Sequence, residues 1–365
     1  MIEISDYIEK NRFVKYLVNG FFYLVFFLVR HIRKKDYISG NIVIVSIMKL
    51  GDTVFTIPSV KEIQRYYKSN ITIVCFPESV PIYQEVFTSI KYLELSHSHF
   101  YFNGRIAKSI ARKQITSLKP EIIFDLNGRM TSVSLIIFCR SKINIGMAYR
   151  IFKAFYDYYL EMERFPHLID RYHKIISQIV PTDKQKFERE FPISEFQGKG
   201  ILIQPFAGWK AKEWNLRKFI ELATRLANYY EVSLIIPDKS INIDIITEIE
   251  KRGIKLLITK SIDDLIQNIK ECAVLIGNDS GPIHIASLLG KPTFSIFGPT
   301  NPIYSAPIGN HHINIKSEIK CAPKGVEELC FTYGGRKGCP SFECMNLISV
   351  DMVFEKVLVF LKNNI

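Results

Sequence analysis

The strongest constraint on this chain is a strand–loop–helix rhythm that runs, lapses and starts again. Asn41–Ile47 (NIVIVSI) is a β-branched run without polar alternation, the mark of a strand covered on both faces. A loop, KLGDT, follows, and then a helix expected from about Pro58, with Val60, Ile63 and Tyr67 on one face. Ile71–Phe76 repeats the strand pattern, as does Ile122–Leu126, which carries Asp125 and runs into Asn127-Gly128. Residues 151–200, rich in aromatics and charge, interrupt the rhythm and read as a helical linker and domain boundary. It then resumes: strands at Gly200–Pro205, Val232–Pro237, Ala273–Gly277 and Pro292–Phe297, and helices at Leu216–Tyr229 and Ile262–Glu271. Strands alternating with helices specify a doubly wound parallel sheet, and here they specify two. Such domains hold ligands outside the carboxyl ends of their strands. The expected organisation is an amino-terminal helix (1–40), a first α/β domain (41–180), a second (181–350) and a carboxy-terminal helix (351–365).

A chain of 365 residues with 47% hydrophobic and 23% charged residues can bury two cores. Its formal charge of +12 is uneven: +3 over residues 1–40, +7 over 41–150 and +2 over the rest. A basic first half implies an anionic partner. No recognition helix, zinc finger or RNA-binding signature accompanies it, which argues against nucleic acid. An anionic membrane surface or a phosphorylated acceptor fits the charge. Residues 13–29 form an apolar segment followed by Arg30, His31, Arg33, Lys34 and Lys35. With Lys15 and Asn19 inside, it is too short for a bilayer span and reads as an interfacial helix. The alternative is a helix packed on its own domain. No small-residue cleavage site follows it, so the expected location is the cytoplasm, peripheral on the inner face of the membrane.

Three motifs carry chemistry. Gly51 and Asp52 lie at the end of the first strand, where glycine permits a tight turn and close approach of a ligand; the plainer reading of Asp52 is a helix cap. Lys212, within GWKAKEW, follows the first strand of the second half and can meet a diphosphate as a point charge, or simply be solvated beside a core Trp. The third is Asn278-Asp279-Ser280-Gly281-Pro282-Ile283-His284-Ile285-Ala286 with Phe297-Gly298-Pro299-Thr300. Asp279 and Ser280 end a strand where sugar hydroxyls can be held, and Ser280 and Gly281 offer backbone N–H groups to phosphate. His284 faces the same way from the first helical turn. The plainer readings are capping for Asp279 and Ser280, and a satisfied helix-start histidine for His284.

In order and spacing, these motifs resemble those of glycosyltransferase family nine, the lipopolysaccharide heptosyltransferases, over roughly residues 41–350. SIMKLGDTVFTIP matches the family's strand followed by S-x-G-D-x-x-x-x-x-P, and Lys212-Glu213-Trp214 its K-x-W-P, with Asn215 in place of Pro. The NDSGPIHIA and FGPT segments match in full. The resemblance implies two facing Rossmann-like domains of the GT-B type. It also implies an inverting transfer of heptose or a related sugar, from a nucleotide-diphosphate donor to a lipopolysaccharide-core or other surface glycan. Donor binding falls to the second domain, with ADP-heptose the first choice of donor. It implies that Asp52 is the general base, that Lys212 stabilises the leaving diphosphate, and that Asp279, Ser280, Gly281 and His284 hold the donor. No cofactor is expected for catalysis. The same fold with another donor sugar is the alternative. A non-catalytic nucleotide-sugar-binding module is a third reading, against which the presence of Asp52 argues.

Cys75, Cys139 and Cys272 lie in apolar runs and read as small buried hydrophobes. Cys321, Cys330, Cys339 and Cys344 cluster in a loop over residues 321–344, at spacings unlike a zinc finger. Four thiols there can hold structural zinc or iron, form disulfides, or simply pack.

Overall fold

Each β-branched run becomes a strand covered on both faces. The computed structural model describes residues 12–33, 39–68, 70–101, 105–163, 166–182, 187, 191, 198–237, 243–309, 311–330, 339 and 341–364, with backbone alone for 12–19 and 33. Two compact units result: Met1–Met48 with Thr56–Glu163 and Arg171–Phe187, and Lys49–Phe55 with Arg164–Asp170 and Glu188–Ile365.

In unit one the strands are β1 (Asn41–Ser46), β2 (Asn70–Cys75), β3 (Lys91–Glu94), β4 (Phe100–Tyr101), β5 (Ile106–Ala107), β6 (Ile122–Asp125), β7 (Ile143–Ala148) and β8 (Tyr158–Glu161). The main sheet has the order β3-β2-β1-β6-β7-β8, every neighbour parallel. β4 and β5 form a small antiparallel hairpin apart from it. Val43, Val45, Val74 and Ile123 from the sheet form one core with Val133, Leu135 and Ile136 from a covering helix.

Unit two repeats the plan with β9 (Ile201–Gln204), β10 (Val232–Pro237), β11 (Lys255–Thr259), β12 (Val274–Asn278), β13 (Thr293–Phe297) and β14 (His312–Lys316). The order is β11-β10-β9-β12-β13-β14, again parallel throughout. Its core joins Ile203, Leu234 and Ile276 to Trp214, Phe219 and Leu222. In both sheets the strand order therefore reverses beside the first strand, between β1 and β6 and between β9 and β12. In an open α/β sheet this is where ligands bind.

Three expectations need correction. Residues 151–200 are not a plain helical linker: they hold β8, between a short 3₁₀ stretch at Arg150–Phe155 and a helix at Leu168–Ile176. The helix placed near Pro58 starts eight residues earlier. It spans Leu50–Tyr67 with Pro58 inside. An interior Pro costs a hydrogen bond and crowds the preceding turn. Burial of Val54, Phe55, Ile57, Val60 and Ile63 along the same helix offsets that cost. Gly51 is therefore not in a tight turn but is the second residue of this helix, and its φ is not positive.

The amino-terminal segment is a helix, Arg12–Arg33. Among the described residues no helix is long and apolar enough to cross a membrane. It packs through one stripe, where Phe26 meets the ring edges of Phe152 and Phe155 with centroids 5.5 and 6.2 Å apart. Arg30 Nη1 donates to the Tyr156 carbonyl at 3.1 Å. Phe21, Tyr23, Leu24, Leu28 and Ile32 remain exposed. The helix is thus both packed on its own unit and apolar outward. Lys34, Lys35 and the Arg33 side chain lie outside the described residues.

Candidate functional site

The site in unit two begins with Asn278, the buried last residue of β12. Its Nδ2 donates to the Pro205 carbonyl at 2.7 Å and its Oδ1 accepts the Trp214 N–H at 2.9 Å. One amide thereby ties the segment that follows β9 to the end of β12 and brings Lys212 against Asp279.

Asp279 is 2% exposed. Its Oδ2 accepts both Lys212 Nζ and Thr300 Oγ1 at 2.6 Å, and its Oδ1 lies 3.6 Å from His284 Nε2, an ion-pair rather than a hydrogen-bond distance. Burial alone would raise this carboxyl. The His284 ring and the Lys212 ammonium outweigh it and hold Asp279 down at about 2. Lys212 keeps 24% of its side chain exposed, so it can pair with Asp279 and still face a second anion.

Neither member of the Asp279-Ser280 pair caps the helix that follows, Gly281–Leu288, through its side chain. Ser280 Oγ instead donates toward Gln204 Oε1 at 3.3 Å and the Asn278 carbonyl at 3.2 Å. The first N–H groups of a helix have no intrahelical partner, so this terminus suits a phosphate. His284 is buried on the same helix, and among the described residues its Nδ1 has no hydrogen-bond partner. A buried ring nitrogen without a partner is costly unless something binds it.

The segment Lys49–Phe55 counts with this unit. A Cβ on Gly51 would lie 2.8 Å from His284 Cδ2, and one on Gly281 would lie 2.9 Å from the Leu50 Cβ. Both glycines are required for close approach. Phe55 packs edge-on to the His284 ring at 4.8 Å. Asp52 is half-buried in the first turn of its helix, where the helix dipole favours a carboxylate. The structure thus gathers Lys212, Asp279, Ser280, Gly281 and His284, with Gly51 against them and Asp52 next in the chain. Asn278 and Thr300 lie within the same motifs, and their roles come from contacts that the sequence does not reveal.

The four clustered Cys line one cavity of about 340 Å³ together with Trp209, Pro299 and Phe342. Among the described residues, Cys321, Cys339 and Cys344 are free thiols. Burial pushes Cys344 up to about 11, with the other three thiols adding to the shift. Backbone N–H groups, Ser341's foremost, lower Cys339. Among the described residues no three His, Cys, Asp or Glu stand where they could hold one ion. Cys75, Cys139 and Cys272 are buried as expected.

A family model described as glycosyltransferase family 9 (heptosyltransferase) matches residues 111–332. The chain is 24% identical to lipooligosaccharide heptosyltransferase 2 of Campylobacter jejuni over 86% of its own length and 96% of that protein's. Its fold resembles that of a family 9 glycosyl transferase from Veillonella parvula, with a TM-score of 0.67 at 20% identity, covering 89% of this chain and 98% of that one. It also resembles the heptosyltransferase WaaC of E. coli, solved with ADP, with a TM-score of 0.64 at 14% identity, covering 89% and 99%.

Proposed function

Because the chain belongs to glycosyltransferase family 9, the heptosyltransferases, we propose that it transfers heptose from ADP-heptose to a lipopolysaccharide-core acceptor with inversion at the anomeric carbon. The donor is the business of the second domain and the acceptor of the first. The observation that carries this reading is the buried Asp279–Lys212 pair beside the helix N-terminus at Gly281. A nucleoside diphosphate placed there meets an ammonium whose charge is secured from behind. As the anomeric C–O bond breaks, negative charge grows on the β-phosphate, and Lys212 with the helix N–H groups stabilises it. The Nδ1 of His284, which has no partner among the described residues, and the Ser280 hydroxyl supply orientation for the donor. Asp52 takes the proton from the acceptor hydroxyl as that oxygen attacks the opposite face of the sugar carbon. No step requires a metal.

Membrane contact fits the same reading. A lipid-linked acceptor sits at the inner leaflet, and the exposed row Phe21, Leu24, Leu28 and Ile32 can rest in the interface while Phe26 holds the helix to the protein. The net +10 over residues 1–150 adds attraction to anionic headgroups.

The test is turnover of Asp52→Asn with ADP-heptose and a delipidated core acceptor. A positioned base contributes about two to four orders of magnitude. The variant should lose that much in kcat while binding ADP as before. A variant that keeps most of its turnover would sink the assignment of the base.

A further inference from the structure

We propose that Asn127 is a positioning residue that sets the chain carrying Asp52, an inference resting on Asp52 as the base. Ile47 is one residue beyond the end of β1, where the ladder from β6 has run out. The last main-chain bond on that side is Leu126 N–H to the Val45 carbonyl at 3.0 Å. Beyond it the β6 chain turns away at Gly128, whose φ is +63 and where an added Cβ would sit 1.6 Å from the Met147 carbonyl oxygen. The side chain of Asn127 takes over the missing rung. Its Oδ1 accepts the Ile47 N–H at 2.8 Å and its Nδ2 donates to the Ile47 carbonyl at 2.8 Å. A carboxamide offers one donor and one acceptor side by side, as a peptide unit does, so it can extend the sheet by one residue.

Asn127 is itself fixed. Its N–H donates to Asp125 Oδ1 at 2.9 Å, and its carbonyl accepts Arg171 Nη2 at 2.8 Å. Asp125 is fully buried, and its other oxygen accepts Tyr156 Oη at 2.6 Å and Ser132 Oγ at 2.8 Å. All four polar groups of Asn127 are therefore engaged, on a carboxylate that is held on both oxygens. From Ile47 the chain has two residues, Met48 and Lys49, before the helix that bears Asp52 begins. The Lys49 carbonyl receives both the Thr53 N–H and its hydroxyl, at 2.9 and 3.1 Å. The connection between the two clamps has little slack, so a shift at Ile47 is passed on to Asp52. A misplacement near 1 Å in a reacting group costs on the order of a hundredfold in rate.

The residue type matters. Leu fills a similar volume but pairs with neither group of Ile47. Asp keeps the acceptor and sets a second oxygen against the Ile47 carbonyl. The experiment is a double-mutant cycle between Asn127→Leu and Asp52→Asn, reading kcat and ADP affinity, with far-UV circular dichroism and thermal melting of the whole chain as a check on folding. Asn127→Leu alone should lower kcat about ten- to a hundredfold and leave the Kd for ADP within about twofold. In the Asp52→Asn background the same change should lower residual turnover less than about twofold, since the group it positions is gone. Equal losses in both backgrounds would show general damage and overturn the proposal, as would full activity of Asn127→Leu. Should Asn127→Leu not fold, Asn127→Asp serves in the same cycle with the same two outcomes. An active Asp52→Asn would overturn the base instead, which keeps the two failures distinct.

Discussion

Replacing Asp279 with Asn tests whether the buried pair holds unit two together as well as preparing it for a diphosphate. The wild-type carboxyl stands at about 2 in the folded chain, against 3.8 for an ordinary Asp. Each tenfold change in proton affinity corresponds to about 1.4 kcal/mol, so the linkage is about 2 kcal/mol in favour of the folded state. Burial opposes this, and the His284 ring and Lys212 ammonium more than compensate. Because the folded value is depressed, this stabilisation is present in full above about pH 4 and fades as pH falls toward 2. Asn keeps an acceptor for Thr300 but leaves Lys212 without its counter-ion, so the loss at neutral pH should be about 2 to 4 kcal/mol. Both Trp of the chain, Trp209 and Trp214, lie in unit two, and Trp214 is buried in its core. Urea unfolding followed by Trp fluorescence therefore reports that unit. The gap between wild type and Asp279→Asn should be widest at pH 5–7 and narrow below pH 4. Curves that stay parallel down to pH 3 would refute the electrostatic account and leave a packing effect.

Two further outcomes follow. Lys212→Ala should weaken ADP binding by about 1.5–3 kcal/mol, the range for a hydrogen bond to a charged group, and leave adenosine binding unchanged in calorimetry. Replacing Phe21, Leu24 and Leu28 together with Ser should reduce sedimentation with anionic vesicles several-fold without altering ADP affinity. The exposed residues are the ones to change, because deleting the whole helix would also uncover Phe152 and Phe155.

What the sequence revealed and what it hid have a common cause. Runs such as NIVIVSI and VSLIIP become interior strands, and burial on both faces leaves a continuous apolar signature. The edge strands Lys91–Glu94, Tyr158–Glu161, Lys255–Thr259 and His312–Lys316 are half exposed, so their residues mix and the signature vanishes. Pro58 misled because its local cost is visible in sequence, whereas the burial that offsets it belongs to the tertiary structure. Asn215, which sits where the family pattern has Pro, caps its helix by accepting the Arg217 N–H at 2.9 Å, a role that the sequence alone did not assign it.

The site residues divide along the same line. A strand end followed by Asn-Asp-Ser-Gly identifies a ligand-binding turn from local chemistry alone. That Asp279 pairs with Lys212, 67 positions away, depends on β9 lying beside β12, and strand order leaves no local trace. Asn127 and Ile47 are 80 positions apart and meet because β6 lies beside β1. In each sheet the first strand of the unit therefore neighbours the strand that follows the third crossover, and side-chain amides close both junctions. Asn278 joins the β9 and β12 ends, as Asn127 joins those of β1 and β6. An amide suits this position because it satisfies a donor and an acceptor where two main chains part, without introducing a charge that the adjoining carboxylate, Asp279 or Asp125, would have to neutralise.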